Sequence, residues 1–349
     1  MQGKKVILRF DVSPNVGIGH LRRCHSLASS LAGLGARVKV LCRAQGYDVE
    51  GAFSGLECGL SLLDWETDRA TDAEILVRAV REGDAVVVLD HYRVDQTYQS
   101  VLLNAGVRWL QFDWAAKEPI WADWVVSPSP ASSHEKYRQI VRKQGARLLL
   151  GPRYVILSPQ FSNPALLRER DGSVRQVLIL MGGGCDRGAI GLTLKAVEAL
   201  PESLRKDVRW EIISGSVNPN LAGINEWLAR NGATIKAQLT VDAADVAARI
   251  ANADLAITAG GTVVYETAVL RCPSVIISIA DNQEANAAAW NDLKTSRYLG
   301  PVESLPVSRL AECLASLLES PALVRTMSEA AATVLDAQGS ERVARELLS

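Results

Sequence analysis

His20 follows Gly17-Ile18-Gly19 and opens a helical pattern running over residues 20–34. A histidine at a helix start lies at the positive end of the helix dipole, which favours the neutral, basic imidazole. Facing a crevice, such a ring can take a proton from water; the alternative is a ring that caps or packs. His25, five residues on, falls off that helical face, so the two do not form a metal pair. Leu89-Asp90-His91-Tyr92 closes the apolar run Ala85-Val86-Val87-Val88. Polar residues at the carboxyl end of a parallel strand reach the crevice, so Asp90, His91 and Tyr92 are placed to hold a substrate or orient a base. The other reading is an Asp that caps and a Tyr that packs.

A second set of residues suits an anion. Gly260-Gly261-Thr262-Val263-Val264-Tyr265-Glu266 follows the apolar Leu255-Ala256-Ile257-Thr258. The two glycines let the chain turn, and a helix starting near Thr262 offers free N–H groups to a phosphate. Glu266, one turn in, is placed to accept hydrogen bonds from sugar hydroxyls. Asp281-Asn282-Gln283 follows another strand, where the amides can read a base edge or a sugar and Asp281 or Asn282 can cap a helix. Met181-Gly182-Gly183-Gly184 permits close backbone approach to an anion at Gly183 and Gly184, or is a tight turn. It lacks the Gly-Lys-Ser/Thr ending of a P-loop. A pyrophosphate beside a ribose, as in a nucleotide-sugar, matches this set.

Gly17-Ile18-Gly19-His20 also hints at a dinucleotide fingerprint. Arg22 takes the place of the third glycine, and Arg43 stands where a NAD enzyme needs an acid, so NAD is disfavoured.

The elements that must position these residues alternate. Strands are expected at 5–9, 37–42, 85–89, 107–112 and 124–126, then at 176–181, 208–214, 234–239, 254–258 and 274–278. Helices are expected at 20–34, 73–82, 96–105, 188–200, 220–231, 243–252 and 262–270. Short apolar strands alternating with helices indicate an α/β chain with parallel sheets covered on both faces. A breaker-rich stretch, Gly151-Pro152 to Asn163-Pro164, separates two similar halves. The expected domains are 1–155 and 156–349, the last helix packing back on the first, with a ligand cleft between the two.

The 349 residues suffice for two cores, and 48 % hydrophobic with 22 % charged residues is ordinary for a globular protein. The net charge of −1 favours neither nucleic acid nor a membrane surface. No apolar run approaches the length of a membrane span, and no signal peptide is visible. Six cysteines without a CxxC pair read as reduced thiols, so the cytoplasm is the expected location.

The motifs in this order resemble the UDP-2,4-diacetamido-2,4,6-trideoxy-β-L-altropyranose hydrolase family of pseudaminic acid biosynthesis, a GT-B family related to the lipid-II-forming N-acetylglucosaminyltransferase. The resemblance rests on Arg9-Phe10-Asp11, Gly17-Ile18-Gly19-His20, Arg23-Cys24 and Asp90-His91-Tyr92. It continues through Leu150-Gly151-Pro152-Arg153-Tyr154, Gly182-Gly183-Gly184, Ala259-Gly260-Gly261-Thr262 with Glu266, and Ala280-Asp281-Asn282-Gln283. It implies a GT-B fold of two Rossmann-like doubly wound domains. The second would bind UDP and the first would carry the base and the sugar site. His20 matches the water-activating histidine, Tyr92 and Asn282 match sugar-contacting positions, and Glu266 matches the ribose-binding acid. Asp11, Gly17, Gly19, Asp90 and His91 line the expected substrate side. The resemblance implies no metal and no cofactor.

Three departures lie in the half that would hold the sugar. Asp113-Trp114 stands where Asp-Asp is usual. Val125-Val126-Ser127-Pro128-Ser129 replaces an apolar run ending in Gln-Asn. Val12-Ser13-Pro14-Asn15 replaces small and polar residues with an Ile. The expected reaction is release of UDP by inverting attack of water at the anomeric carbon. The alternative is an inverting GT-B glycosyltransferase with the same donor and a hydroxyl acceptor, and a further one is a non-catalytic nucleotide-sugar-binding protein.

Overall fold

A computed structural model describes residues 3–14, 16–81, 85–114 and 116–349. Asn15, in one of the three departures, lies outside the described residues. The chain forms two compact units, 1–158 with 337–349 and 159–336.

The first unit holds a seven-stranded parallel sheet in the order β3-β2-β1-β4-β5-β6-β7. Its strands are β1 (Lys5–Val12), β2 (Arg37–Ala44), β3 (Cys58–Leu63), β4 (Ala85–Asp90), β5 (Trp109–Phe112), β6 (Trp124–Ser127) and β7 (Arg147–Leu150). Helices α1 (Gly19–Gly33), α2 (Val49–Phe53), α3 (Arg69–Arg81), α4 (Gln96–Asn104) and α5 (His134–Ile140) run between them. β1 and β4 are buried on both faces, which is why β4 and residues 6–8 of β1 read as apolar runs. Alternation sends Val6, Leu8, Phe10 and Val12 to one core with Leu27 and Leu31 of α1. It sends Ile7 to the other core, with Val87, Leu89 and Tyr98.

The second unit has a six-stranded parallel sheet, β10-β9-β8-β11-β12-β13. The strands are β8 (Gln176–Leu180), β9 (Arg209–Ser214), β10 (Ala237–Val241), β11 (Leu255–Ala259), β12 (Ser274–Ser278) and β13 (Ser296–Pro301). Its helices are α6 (Ala189–Ala199), α7 (Glu202–Arg205), α8 (Leu221–Ile235), α9 (Val246–Asn252), α10 (Val263–Val269), α11 (Glu284–Asp292), α12 (Val307–Glu319) and α13 (Pro321–Val334). Its main core joins Val177, Ile179, Trp210, Ile257 and Ile277 to Leu194 of α6 and to Leu310 and Leu314 of α12. The strand expected from residue 234 starts later. α8 continues to Ile235, and Lys236 ends it in the left-handed conformation with φ +57°.

The last helix, α14 (Gly339–Leu348), belongs to the first unit. Its Val343, Ala344 and Leu347 enter the core shared with α1. Ser340 Oγ donates to the Ser26 carbonyl at 3.0 Å. Gly339 is required there, since a Cβ would stand 1.9 Å from the Val155 carbonyl oxygen.

Each sheet begins in its middle. β1 lies between β2 and β4, and β8 between β9 and β11. Successive crossovers run one way and then the other, so the carboxyl ends of β1/β4 and of β8/β11 are topological switch points. Loops part at such points and leave room for ligands.

Candidate active site

In the first unit the switch point gathers the loop after β1 and the end of β4. Gly17 turns the loop with φ +85°, and its N–H donates to the Ser13 carbonyl at 2.7 Å. α1 then starts, and His20 in its first turn is 3 % exposed. Asp90 ends β4 beside Phe10, on the α1 face of the sheet. His20 Nδ1 lies 2.8 Å from Asp90 Oδ1. The shorter carboxylate contact favours a proton on Nδ1, against the Arg23 Nη2 donor that lies 3.0 Å from the same nitrogen. The neutral ring then carries its lone pair on Nε2, which makes Nε2 the basic atom.

Asp90 is itself held. Arg23 Nε donates to Asp90 Oδ2 at 3.0 Å and Arg23 Nη2 to Oδ1 at 2.9 Å, a two-pronged fork. Burial works to raise the Asp90 carboxyl, but Arg23 and His20 outweigh it and hold the group well below the usual carboxylate range. Arg23 sits one turn after His20, so both side chains leave the same face of α1. Its guanidinium carbon lies 5.5 Å from the Trp114 ring centre and 5.8 Å from that of Phe112. Tyr92 is 70 % exposed, and its ring meets the His20 imidazole edge-on at 4.9 Å. His20, Asp90 and Tyr92 therefore come together.

Asp11 and His91 stand in a different network. Alternation places Asp11 with Arg9 on the face opposite Phe10, and His91 follows Asp90 to the far side. Arg43 forks onto Asp11, with Nε to Oδ1 at 3.0 Å and Nη2 to Oδ2 at 2.8 Å. Arg9, fully buried, donates to Asp11 Oδ1 at 2.7 Å and to both oxygens of Asp72. Tyr98 Oη donates to Asp72 at 3.0 Å. The His91 ring stands edge-on to Tyr98 at 5.3 Å, and its Nδ1 accepts from the Arg93 N–H at 3.3 Å. Its Nε2 is buried without a hydrogen-bond partner among the described residues. Burial, reinforced by Arg9, pushes the His91 imidazole down to about 3. Both oxygens of Asp11 are occupied, and neither it nor His91 joins the His20 group.

In the second unit the neighbouring strands β8, β11 and β12 bring three motifs to one edge. Gly182 turns with φ +106°. Gly183 packs against Gly215, where a Cβ would lie 2.1 Å from the Gly183 carbonyl oxygen. Asp186 ties down the start of α6, accepting from the Ile190 N–H at 2.9 Å. Gly260 is crowded as well, since a Cβ there would meet Gln283 and Ala287 at 3.1 Å. Its carbonyl accepts from Asn286 Nδ2 at 2.8 Å, while Asn286 Oδ1 accepts from Tyr265 Oη at 2.8 Å. Gln283 Oε1 accepts from the Ile279 N–H at 3.1 Å. Thr262 precedes α10 and makes no capping bond with its side chain. Asp281 and Asn282 are exposed; Gly261, Glu266 and Gln283 are partly exposed. The edge offers backbone and amide groups next to small residues, with the acids Glu266 and Asp281 at its margin.

Sequence reasoning gave no role to four residues that shape these edges. Arg23 carried a signal in its spacing from His20. Arg43, Gly215 and Asn286 matter through partners 32, 32 and 26 residues away in sequence. Among the described residues, no three His, Cys, Asp or Glu side chains group closely enough to hold a metal ion. Nor is any helix among them long and apolar enough to cross a membrane.

No family model matches the chain. It is 26 % identical over 207 residues to the spore coat polysaccharide biosynthesis protein SpsG of Bacillus subtilis, covering 59 % of this chain and 60 % of SpsG. It is 30 % identical over 187 residues to a UDP-N-acetylglucosamine–N-acetylmuramyl-(pentapeptide) pyrophosphoryl-undecaprenol N-acetylglucosamine transferase of Phenylobacterium zucineum, covering 52 % of this chain and 49 % of the transferase. The chain thus spans roughly half to three fifths of the length of these curated relatives. Among solved structures, MurG of Acinetobacter baumannii superposes with a TM-score of 0.71 over 99 % of both chains at 14 % identity. Anabaena Alr3699/HepE in complex with UDP gives 0.67 over 98 % of this chain and 99 % of that one, at 13 % identity. Two Rossmann-like parallel-sheet units with this strand order, matched over nearly their whole length, establish a glycosyltransferase-like GT-B fold related to that of MurG and SpsG.

Proposed function

We propose that the chain is an inverting GT-B enzyme that transfers a glycosyl group from a UDP-sugar to a hydroxyl acceptor, with His20 as the general base. The observation that carries the reading is the His20–Asp90 contact at 2.8 Å, which leaves Nε2 as the basic atom at a switch point. The acceptor hydroxyl gives its proton to Nε2 as its oxygen bonds to the anomeric carbon. The bond from that carbon to the diphosphate oxygen breaks, and UDP leaves with the electron pair. Asp90 stabilises the imidazolium that forms. A positioned base of this kind contributes about 10²- to 10⁴-fold in rate.

The second unit supplies the UDP site in this reading. The loops at Gly183-Gly184 and Gly260-Gly261-Thr262 receive the diphosphate, and Glu266 and Asn282 receive sugar hydroxyls. Support comes from the crowding at Gly215, which only glycine tolerates, from the tight packing at Gly260, and from the sequence relation to a UDP-N-acetylglucosamine-dependent transferase. Asp281 and Gln283 flank the same edge.

Water is the acceptor in a second reading, a hydrolase acting on a UDP-linked 2,4-diacetamido-2,4,6-trideoxy hexose in pseudaminic-type acid biosynthesis. The observation favouring it is the grouping of His20 with Tyr92, two residues on which the family resemblance rests. The test is a time course of UDP release from UDP-N-acetylglucosamine and from the UDP-trideoxysugar, with and without hydroxyl acceptors, with and without EDTA. Release that requires acceptor and resists EDTA supports transfer. Equally fast release in water alone replaces transfer by hydrolysis. Absence of turnover with either donor under all conditions contradicts both.

A further inference from the structure

We infer that Arg23 is a positioning residue that sets the proton location on His20 through Asp90, and that Trp114 holds it in place. The inference rests on the reading of His20 as the base. Asp90 lies at the bottom of the site, 1 % exposed. A carboxyl so buried favours its neutral form unless a cation stands against it. Arg23 supplies that cation, with one donor to each oxygen at 3.0 and 2.9 Å. The fork does two things at once. It keeps Asp90 an anion, and it fixes the carboxylate plane so that Oδ1 points at His20 Nδ1.

The consequence for the base is direct. An ionised Asp90 accepts from Nδ1–H and leaves Nε2 bare. A protonated Asp90 would donate to Nδ1 and drive the ring proton to Nε2, which removes the base. Arg23 Nη2 also lies 3.0 Å from His20 Nδ1, where its N–H opposes the Nδ1 proton and its charge repels the imidazolium formed in the reaction. Trp114 and Phe112 offset this by presenting ring faces to the guanidinium at 5.5 and 5.8 Å. Trp114, where the resembled family has a second Asp, thereby acts on the base through two intermediates. A carboxylate at that place would compete with Asp90 for the Arg23 fork.

The test is ¹⁵N NMR of ring-labelled histidines in near-neutral buffer, with steady-state UDP release measured on the same samples. The chain has four histidines, and His20→Asn assigns the signal. Wild type is expected to carry the neutral-ring proton on Nδ1. Arg23→Met moves it to Nε2 and lowers turnover by about 10²-fold or more, with KM for the donor within about twofold. Arg23→Lys, a cation without the fork, falls between the two. Trp114→Leu alters a partly exposed side chain, so folding is retained; it keeps the tautomer and costs about fivefold in turnover. Nδ1–H and wild-type turnover in folded Arg23→Met overturn the inference. Should that variant not fold, the same result in Arg23→Lys overturns it. If wild type turns over no UDP-sugar, the proposed function fails, while the NMR comparison still decides whether Arg23 sets the tautomer.

Discussion

The two units place their motif loops at the same point of the same topology, yet line it with opposite chemistry. At the β1/β4 end, buried charge dominates: Arg23, Asp90 and His20 on one face of the sheet, Arg9, Asp11, Arg43 and Asp72 on the other. At the β8/β11 end, glycines, backbone groups and the amides of Gln283 and Asn286 shape the edge. Buried charges held by forks give one fixed geometry and one defined protonation state, which suits a base. Glycines and amides give close approach and fixed dipoles without moving protons, which suits the binding of a diphosphate. On the proposed function, one topology then supports a reactive end and a holding end, set apart by the side chains at the strand ends.

The two ends separate most sharply at Asp90. Asp90→Asn leaves Arg23 buried without its partner and is expected to cost about 3–5 kcal/mol of stability. Turnover should fall by about 10²-fold or more, while UDP affinity stays unchanged. Urea melts, steady-state kinetics and UDP titration read the three quantities. A loss of UDP affinity in this variant would erase the division between the ends.

The converse variant is Gly215→Ala. Its Cβ meets the Gly183 carbonyl oxygen, which is backbone and cannot swing away, so the glycine loop must shift. UDP affinity should fall about tenfold, with a stability cost of about 1–3 kcal/mol. The His20 tautomer should not change. Gly260→Ala should act in the same direction more mildly, since its neighbours at 3.1 Å include movable side-chain atoms. Calorimetric UDP titration measures both.

The smallest expected effect is a pH dependence at the reactive end. His91 has an ordinary value of 6.5 and is pushed down to about 3 by burial and Arg9. Below about pH 6.5 the unfolded chain takes up a proton that the folded chain refuses. Stability is therefore full above that pH and falls as the pH drops. Between about pH 6.5 and about pH 5, before the carboxylates titrate, the loss is on the order of 1 kcal/mol. His91→Leu should flatten that part of the profile in urea melts. An unchanged slope would mean that His91 gains a proton partner on folding.

Much of this was legible in the chain, for identifiable reasons. β1, β4, β8 and β11 are central and buried on both faces, so each contains an apolar run ahead of its motif. β3, β7 and β13 escaped notice because they are sheet edges. Cys58–Leu63 is partly exposed along its length, and Ser296–Pro301 carries Arg297, Gly300 and Pro301. His20 was legible as a helix-start residue and Asp90 as a strand-end residue, but their contact, 70 residues apart in sequence, was not. Asp11 stood out through the resembled motif and His91 through its place at a strand end. Strand alternation, which sends them away from α1, is written in the sequence and separates them from Phe10 and Asp90. The fork of Arg23 on Asp90 needed the structure, although its place one turn after His20 was there to read.

The most direct test of the account is His20→Gln, measured by UDP titration and by single-turnover glycosyl transfer on the same preparation. A UDP Kd within about twofold of wild type and a transfer rate lowered by about 10²- to 10⁴-fold are expected. Transfer at the wild-type rate, or a rate loss explained entirely by weaker UDP binding, would contradict the account.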